Sequence, residues 1–199
     1  MSDVTEHVVD SSSPGSTNAL ADVDVGSLIL RVVLGIIFLG HGLQKLGWFD
    51  SGGYPNSIDS QKQLIEFFGY SSAGFLAWVI TLTEIVAGVS LLLGLVLPLG
   101  AAAAAGIMVE PILGYQWDNG LFGNAAAFGF EFSLIPFGAA IALAFIGPGR
   151  WSIDSVLGWR LSGRRWGLIT LITALVVGIF VLQVWGLGVG GSPAPPPGP

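Results

Sequence analysis

The sequence predicts an all-α membrane protein: a polytopic four-helix bundle with an additional transmembrane helix at its C-terminal end. Composition is the first reason. The 199 residues are 52% hydrophobic and only 10% charged, against about 25% charged in a soluble domain. The second is that the apolar residues gather into helix-length stretches divided by Gly-, Pro- and Asn-rich turns. The third is the stretch from Gly26 to Trp48, long enough to cross a bilayer yet carrying Arg31, His41 and Lys45. Ionisable groups at that depth are costly, so each one needs a partner or a wet cavity and points to function.

Composition also sets exclusions. Seven Lys and Arg, four of them between Arg150 and Arg165, make no basic face for tracking phosphates, so nucleic acid is not a partner. The chain has no Cys. It therefore carries no disulfide, dithiol couple, cluster-binding thiolate or thiolate metal site of its own.

Residues 1–25 read as a disordered tail, rich in Ser, Asp and Val and without Lys or Arg. The first span then starts near Asp24 or Ser27, either of which can cap it. Within it His41 and Lys45 stand four apart on one face, about 20 Å along the axis from Arg31. Arg31 is open to two readings, a headgroup-snorkelling cation or a structural ion pair. The segment 59–70, DSQKQLIEFFGY, spaces Leu64, Phe67 and Phe68 as an amphipathic helix lying on the membrane or over the bundle mouth.

The second span, about Ala73 to Leu97, holds Glu84 near its middle, where a carboxylate must find a cation or a proton. The third, about Gly100 to Tyr115, opens on five alanines and contains Glu110 followed by Pro111. Proline frees the carbonyl of Ile107, which is tolerable only where protein or water meets it, so Glu110 is expected to face the interior. The fourth begins near Phe130 with Glu131 in its first turn, a position the helix dipole favours. Pro136 repeats the kink device. The last, about Trp166 to Gly188 within a fifth-helix region 161–188, carries no charge and reads as a lipid-facing addition that contributes nothing to a site. The Pro-rich tail 189–199 reads as disordered or extended.

Four blocks, LILRVVLGIIFLGHGLQKL, TLTEIVAG, NGLFGNAAAFGFEFSLIPFGAAIAL and GPGRWSID, together resemble the DoxX family of small bacterial integral membrane proteins, in order from about Leu28 to Leu157. The resemblance implies a four-helix membrane domain over 26–160, in the plasma membrane. Some relatives are similar to the small subunit of thiosulfate:quinone oxidoreductase, and others are membrane components of redox complexes handling thiol or oxidative stress. Carried over by residue, its pattern points to Arg31, His41, Lys45, Glu84, Glu131 and Asp154. Helix five and the proline tail lie outside it.

The basic segment Gly147–Arg165 places the N-terminus in the cytoplasm and the C-terminus outside, by the positive-inside rule. His41, Lys45, Glu84, Glu110 and Glu131 then fall in the outer half of the membrane. Their expected convergence makes a polar intramembrane pocket with coupled titrations. His41 and Glu84 are the candidate catalytic groups, with Arg31, Lys45, Glu110 and Glu131 as pocket residues and no metal site. Three functions fit such a pocket. One is a quinone-linked redox component, with quinone as the only cofactor expected and a soluble or membrane oxidoreductase as partner. The others are a non-catalytic scaffold or accessory subunit, and a small proton-coupled transporter.

Overall fold

The computed structural model describes residues 14–49, 55–123 and 127–186, with side chains from Ala21 onward. Of the disordered tail expected over 1–25, residues 1–13 lie outside those described, as does all of 189–199, whereas 14–25 are helical and form the start of the first helix. All secondary structure among the described residues is helical.

Helix α1 spans Pro14–Lys45 and so begins before the predicted cap. Pro14 suits a first helical position. Asp24 caps no helix of its own: its Oδ1 accepts the Arg150 amide at 3.1 Å. A short helix α2, Ile58–Phe67, follows; Ser57 and Ser60 close a reciprocal capping box at its start. Helix α3 covers Ala73–Leu93 and α4 covers Leu97–Pro111. Pro111 does break the α-helix, and the chain continues as a π-helical turn over Ile112–Gln116, which accommodates a residue that cannot donate to the ladder. Helix α5 is Glu131–Ile146, α6 is Ile153–Val156 and α7 is Arg164–Trp185.

Four segments are long and apolar enough to cross a membrane: Ala21–Lys45, Ala73–Leu93, Leu97–Asn119 and Arg164–Trp185. The 16-residue α5 is apolar but shorter. Ahead of α5 the chain folds back on itself, with the Phe130 and Glu131 amides donating to the carbonyls of Gly120 and Leu121.

α1, α3, α4 and α5 form the four-helix core, and α7 packs outside it on α4 and α5. α4 is central because its side chains are small. Ala101, Ala104 and Ala105 are wholly buried, and the core around them adds Leu91, Leu97, Leu143 and Ala174. Close approach of this kind is how helices associate where lipid removes the hydrophobic drive. Gly88 shows it at the α1–α3 crossing: a Cβ there would lie 2.4 Å from the Leu39 backbone nitrogen.

At the α6 end of the bundle, a knot of polar contacts ties the core together. Asp154 is wholly buried. Its two carboxylate oxygens accept the Val96 amide at 2.7 Å and the Leu97 amide at 2.9 Å, capping α4 from the far side of the chain. Val96 has φ 47°, a left-handed conformation unfavourable for a β-branched residue, and the carboxylate holds it there. Arg31 is wholly buried, which removes the first of its two readings. It does not snorkel. Its Nη2 donates to the Trp151 carbonyl at 2.6 Å and its charge faces that of Asp154. Ser27 adds a hydroxyl bond to the Gly147 carbonyl at 2.7 Å.

Asp154→Ala removes both caps and leaves Arg31 without its nearby anion. A loss of about 3 kcal/mol is expected, with Asp154→Asn losing roughly half as much because one acceptor oxygen remains. Unfolding in detergent micelles followed by circular dichroism measures both.

Candidate functional site

The α2 end is built differently. Lys45, in the last turn of α1, is placed to reach the nearest headgroups, but its chain turns back along the helix. Its Nζ lies 3.5 Å from the His41 carbonyl, one turn deeper. There it meets the Glu84 carboxylate at 2.7 and 2.6 Å. Both residues are buried, at 6% exposure each. Removing two charges from water costs several kcal/mol per ion, and only close, hydrogen-bonded geometry offsets this.

A second pair stands across from the first. The Tyr70 phenol, in the turn before α3, donates a short hydrogen bond to Glu110 Oε1. Glu110 precedes the break at Pro111, so the irregular turn puts its carboxylate at the bundle's interior face. Burial, and then the Glu110 charge beside it, push the Tyr70 phenol well above its usual range. Tyr115 completes this side, with its ring stacked on Phe68 at 3.9 Å between centroids.

Lys45, Glu84 and Glu110 line one cavity of about 430 Å³, within the ~300–1,000 Å³ usual for small-molecule sites; Tyr70 stands behind Glu110 and outside the lining. α4 forms its floor, α3 and α7 its walls, and Gln61 and Leu64 of α2 its roof. Val79, Leu99 and Val177 belong to the lining and are also exposed on the outer surface. The cavity therefore opens sideways between α3 and α7, toward the hydrocarbon of a surrounding bilayer.

Of the residues singled out in the sequence, Lys45, Glu84 and Glu110 converge. His41 does not. It is exposed on α1, because four residues of helix advance 40° past a full turn and Lys45 alone falls on the inward side. The expected His41–Glu84 partnership is replaced by Lys45–Glu84. Glu131 stays in the first turn of α5, half-buried and away from the cavity lining. Arg31 belongs to the knot at the opposite end. α7 also departs from expectation: Thr173, Val177, Gly178 and Val181 form part of the cavity wall. Its small residues explain this, since Gly178 brings α7 onto Val109 of α4 closely enough that a Cβ would lie 2.5 Å from the Val109 Cβ. Tyr70, Tyr115 and Gln61 escaped the sequence reading. Tyr115 carried a signal in its place just beyond the Glu110–Pro111 break, whereas Tyr70 meets Glu110 only through the fold.

Residues 26–116 match the DoxX family model. An uncharacterized membrane protein of Mycobacterium tuberculosis, Rv3486, is 31% identical over 69% of this chain and 82% of its own length. The chain belongs to the DoxX family. Within the range matched by the DoxX model lie α1 from Gly26, α2, α3 and α4, hence Lys45, Glu84 and Glu110. Two further relatives are CatD of Bacillus subtilis, whose name carries a provisional oxidoreductase assignment, at 29% identity over 66% of this chain and 86% of that protein, and the inner membrane protein YqjF of Escherichia coli, at 27% over 72% and 96%. No solved structure matches.

Lys45→Met alone strands Glu84 and is expected to cost about 3–5 kcal/mol, most of it restored when Glu84→Leu is added; a double-mutant cycle in micelles measures the coupling. Tyr70 gives a pH signature. Its phenol is raised above the unfolded value near 10, so its contribution to stability is complete below about pH 10 and declines as pH rises beyond it. Melting temperatures over pH 8–11.5 should show that decline in the wild type and lose this component in Tyr70→Phe.

Proposed function

We propose that the cavity binds a lipid-soluble quinone and that the protein serves as the quinone-linked membrane component of an oxidoreductase. The observation that carries this reading is a cavity open to the bilayer, with an ammonium–carboxylate pair and a second carboxylate, Glu110, in its wall, the latter hydrogen-bonded from behind by the Tyr70 phenol. Quinone reduction consumes two electrons and two protons. Lys45 can hydrogen-bond a carbonyl oxygen while Glu84 balances its charge. The Glu110–Tyr70 pair can hold a proton and hand it on, as a general acid must within hydrogen-bond reach. His41 has no part in this, since it faces away from the cavity.

Electrons must come from elsewhere, because the chain has no Cys to hold a cluster. Either a partner oxidoreductase delivers them or a reduced substrate reacts directly with the quinone. The CatD name supports an oxidoreductase setting, and the YqjF name supports a bacterial inner membrane, where the basic Arg150–Arg165 segment would face the cytoplasm. A scaffold role is the second reading, favoured by the sealing of Lys45 against Glu84, which joins α1 to α3 with no ligand required.

Thermal unfolding of the protein in nanodiscs, with and without decyl-ubiquinone, separates the two. A quinone site requires a rise in melting temperature that is lost in Glu84→Gln and Glu110→Gln and retained in His41→Ala. No rise in the wild type, or a rise unaffected by either glutamate substitution, leaves the scaffold.

A further inference from the structure

The cavity is longer than a quinone ring needs and is charged at one end only. From Leu99 to Glu110 the α4 axis rises about 16 Å at 1.5 Å per residue. Leu99, Ala103, Gly106, Ile107 and Glu110 recur along it at helical spacing, all lining the cavity and none fully buried. Four of the five are apolar, and the carboxylate stands last, at the α2 end. Lys45 and Gln61 lie toward that same end. Thr83, on the α3 wall, turns its hydroxyl back to the Val79 carbonyl at 2.6 Å and so offers no free donor.

The floor toward the α6 end is made of Ala102, Ala103 and Gly106, whose small side chains leave a channel rather than a filled helix contact. Leu99 at its far limit is 59% exposed and Val177 on the α7 wall 51%. The channel thus has a charged head, a body that is apolar except for Thr173 and Thr83, and a mouth in hydrocarbon. A head-only, water-soluble ligand would use the first of these and waste the second and third.

Accepting a quinone at the polar end, we infer that the substrate is the tailed form: its ring lies among Lys45, Glu84 and Glu110, and its isoprenoid or alkyl tail runs over Ala103 toward Leu99 and leaves sideways into the bilayer. Apolar burial of the tail supplies binding energy in proportion to the contacts it makes in the channel. The ring's hydrogen-bonding groups then have their orientation set by a tail anchored on the opposite side.

The test compares decyl-ubiquinone with the tail-less ring, ubiquinone-0, in nanodiscs. Wild-type protein should bind the tailed form at least tenfold more tightly, relative to each ligand's partition into empty nanodiscs. Ala103→Phe, which plugs the channel, should reduce that ratio at least tenfold. Leu99→Trp, at an exposed position that tolerates bulk, should reduce it in the same direction. A decyl-ubiquinone carrying a diazirine at the tail end should label peptides from the Leu99–Ala103 turn of wild-type protein, which needs no variant to fold. Ratios unchanged in both variants, or label confined to the α2 end, overturn the channel while glutamate-dependent ring binding keeps the quinone site. Labelling abolished by excess phosphatidylcholine also overturns it, assigning the channel to an acyl chain. Loss of glutamate dependence for both ligands defeats the quinone reading itself.

Discussion

The contact between Lys45 and Glu84 organises the α2 end of the molecule. It brings a cation inward from the edge of the membrane and an anion from the middle of α3 to meet it, and in doing so fixes α1 against α3. Neither partner is tolerable alone in that environment. Their mutual satisfaction lets the wall of an intramembrane cavity carry charge, and it sets the level at which a polar ligand group would be received. Glu110 repeats the solution with a neutral partner, Tyr70. The two carboxylates are thus held in unlike surroundings, one against a positive charge and one against a phenol, and such unlike settings separate the tasks of paired acids.

The two ends of the bundle divide their labour. At the α6 end, Asp154 and Ser27 spend their side-chain oxygens on backbone groups of the chain itself, and Arg31 commits one nitrogen to the Trp151 carbonyl while its buried Nε and Nη1 make no hydrogen bond among the described residues. No lining residue of the cavity comes from this knot. At the α2 end the polar side chains pair with one another and still face an opening. A rigid foot and an open head suit a site whose geometry must not change as a ligand enters. Among the described residues, α2, short and held by its capping box, covers the cavity with Gln61 and Leu64.

Much of this could be read from the sequence, and the failures have physical causes. Apolar stretches and breakers mark the helices, and the rule that a buried charge requires a partner draws five groups together, of which Lys45, Glu84 and Glu110 share the cavity while His41 and Glu131 stay outside it. Spacing on one helix could not tell which of His41 and Lys45 turned inward, since the answer depends on where α3 packs. α7 carries no charge to announce a role, and Gly178 and Thr173 act instead through size and position. Asp154 was legible as a residue of the GPGRWSID block that carries the family resemblance, but its capping of Val96 and Leu97 joins residues nearly sixty positions apart and leaves no local trace. Tyr70 was invisible for the same reason.

The brevity of α5 has a consequence for the membrane. Sixteen residues rise about 24 Å, short of the ~30 Å hydrocarbon thickness. In the turn that precedes it the Phe130 and Glu131 amides donate to the Gly120 and Leu121 carbonyls, and Phe122 and Phe128 are exposed. Lipid beside α5 must compress to match, whereas lipid beside the longer α1 and α7 need not. The protein accordingly carries a built-in hydrophobic mismatch on one flank, which favours thinner bilayers and gives neighbouring proteins with the same short flank a reason to gather there.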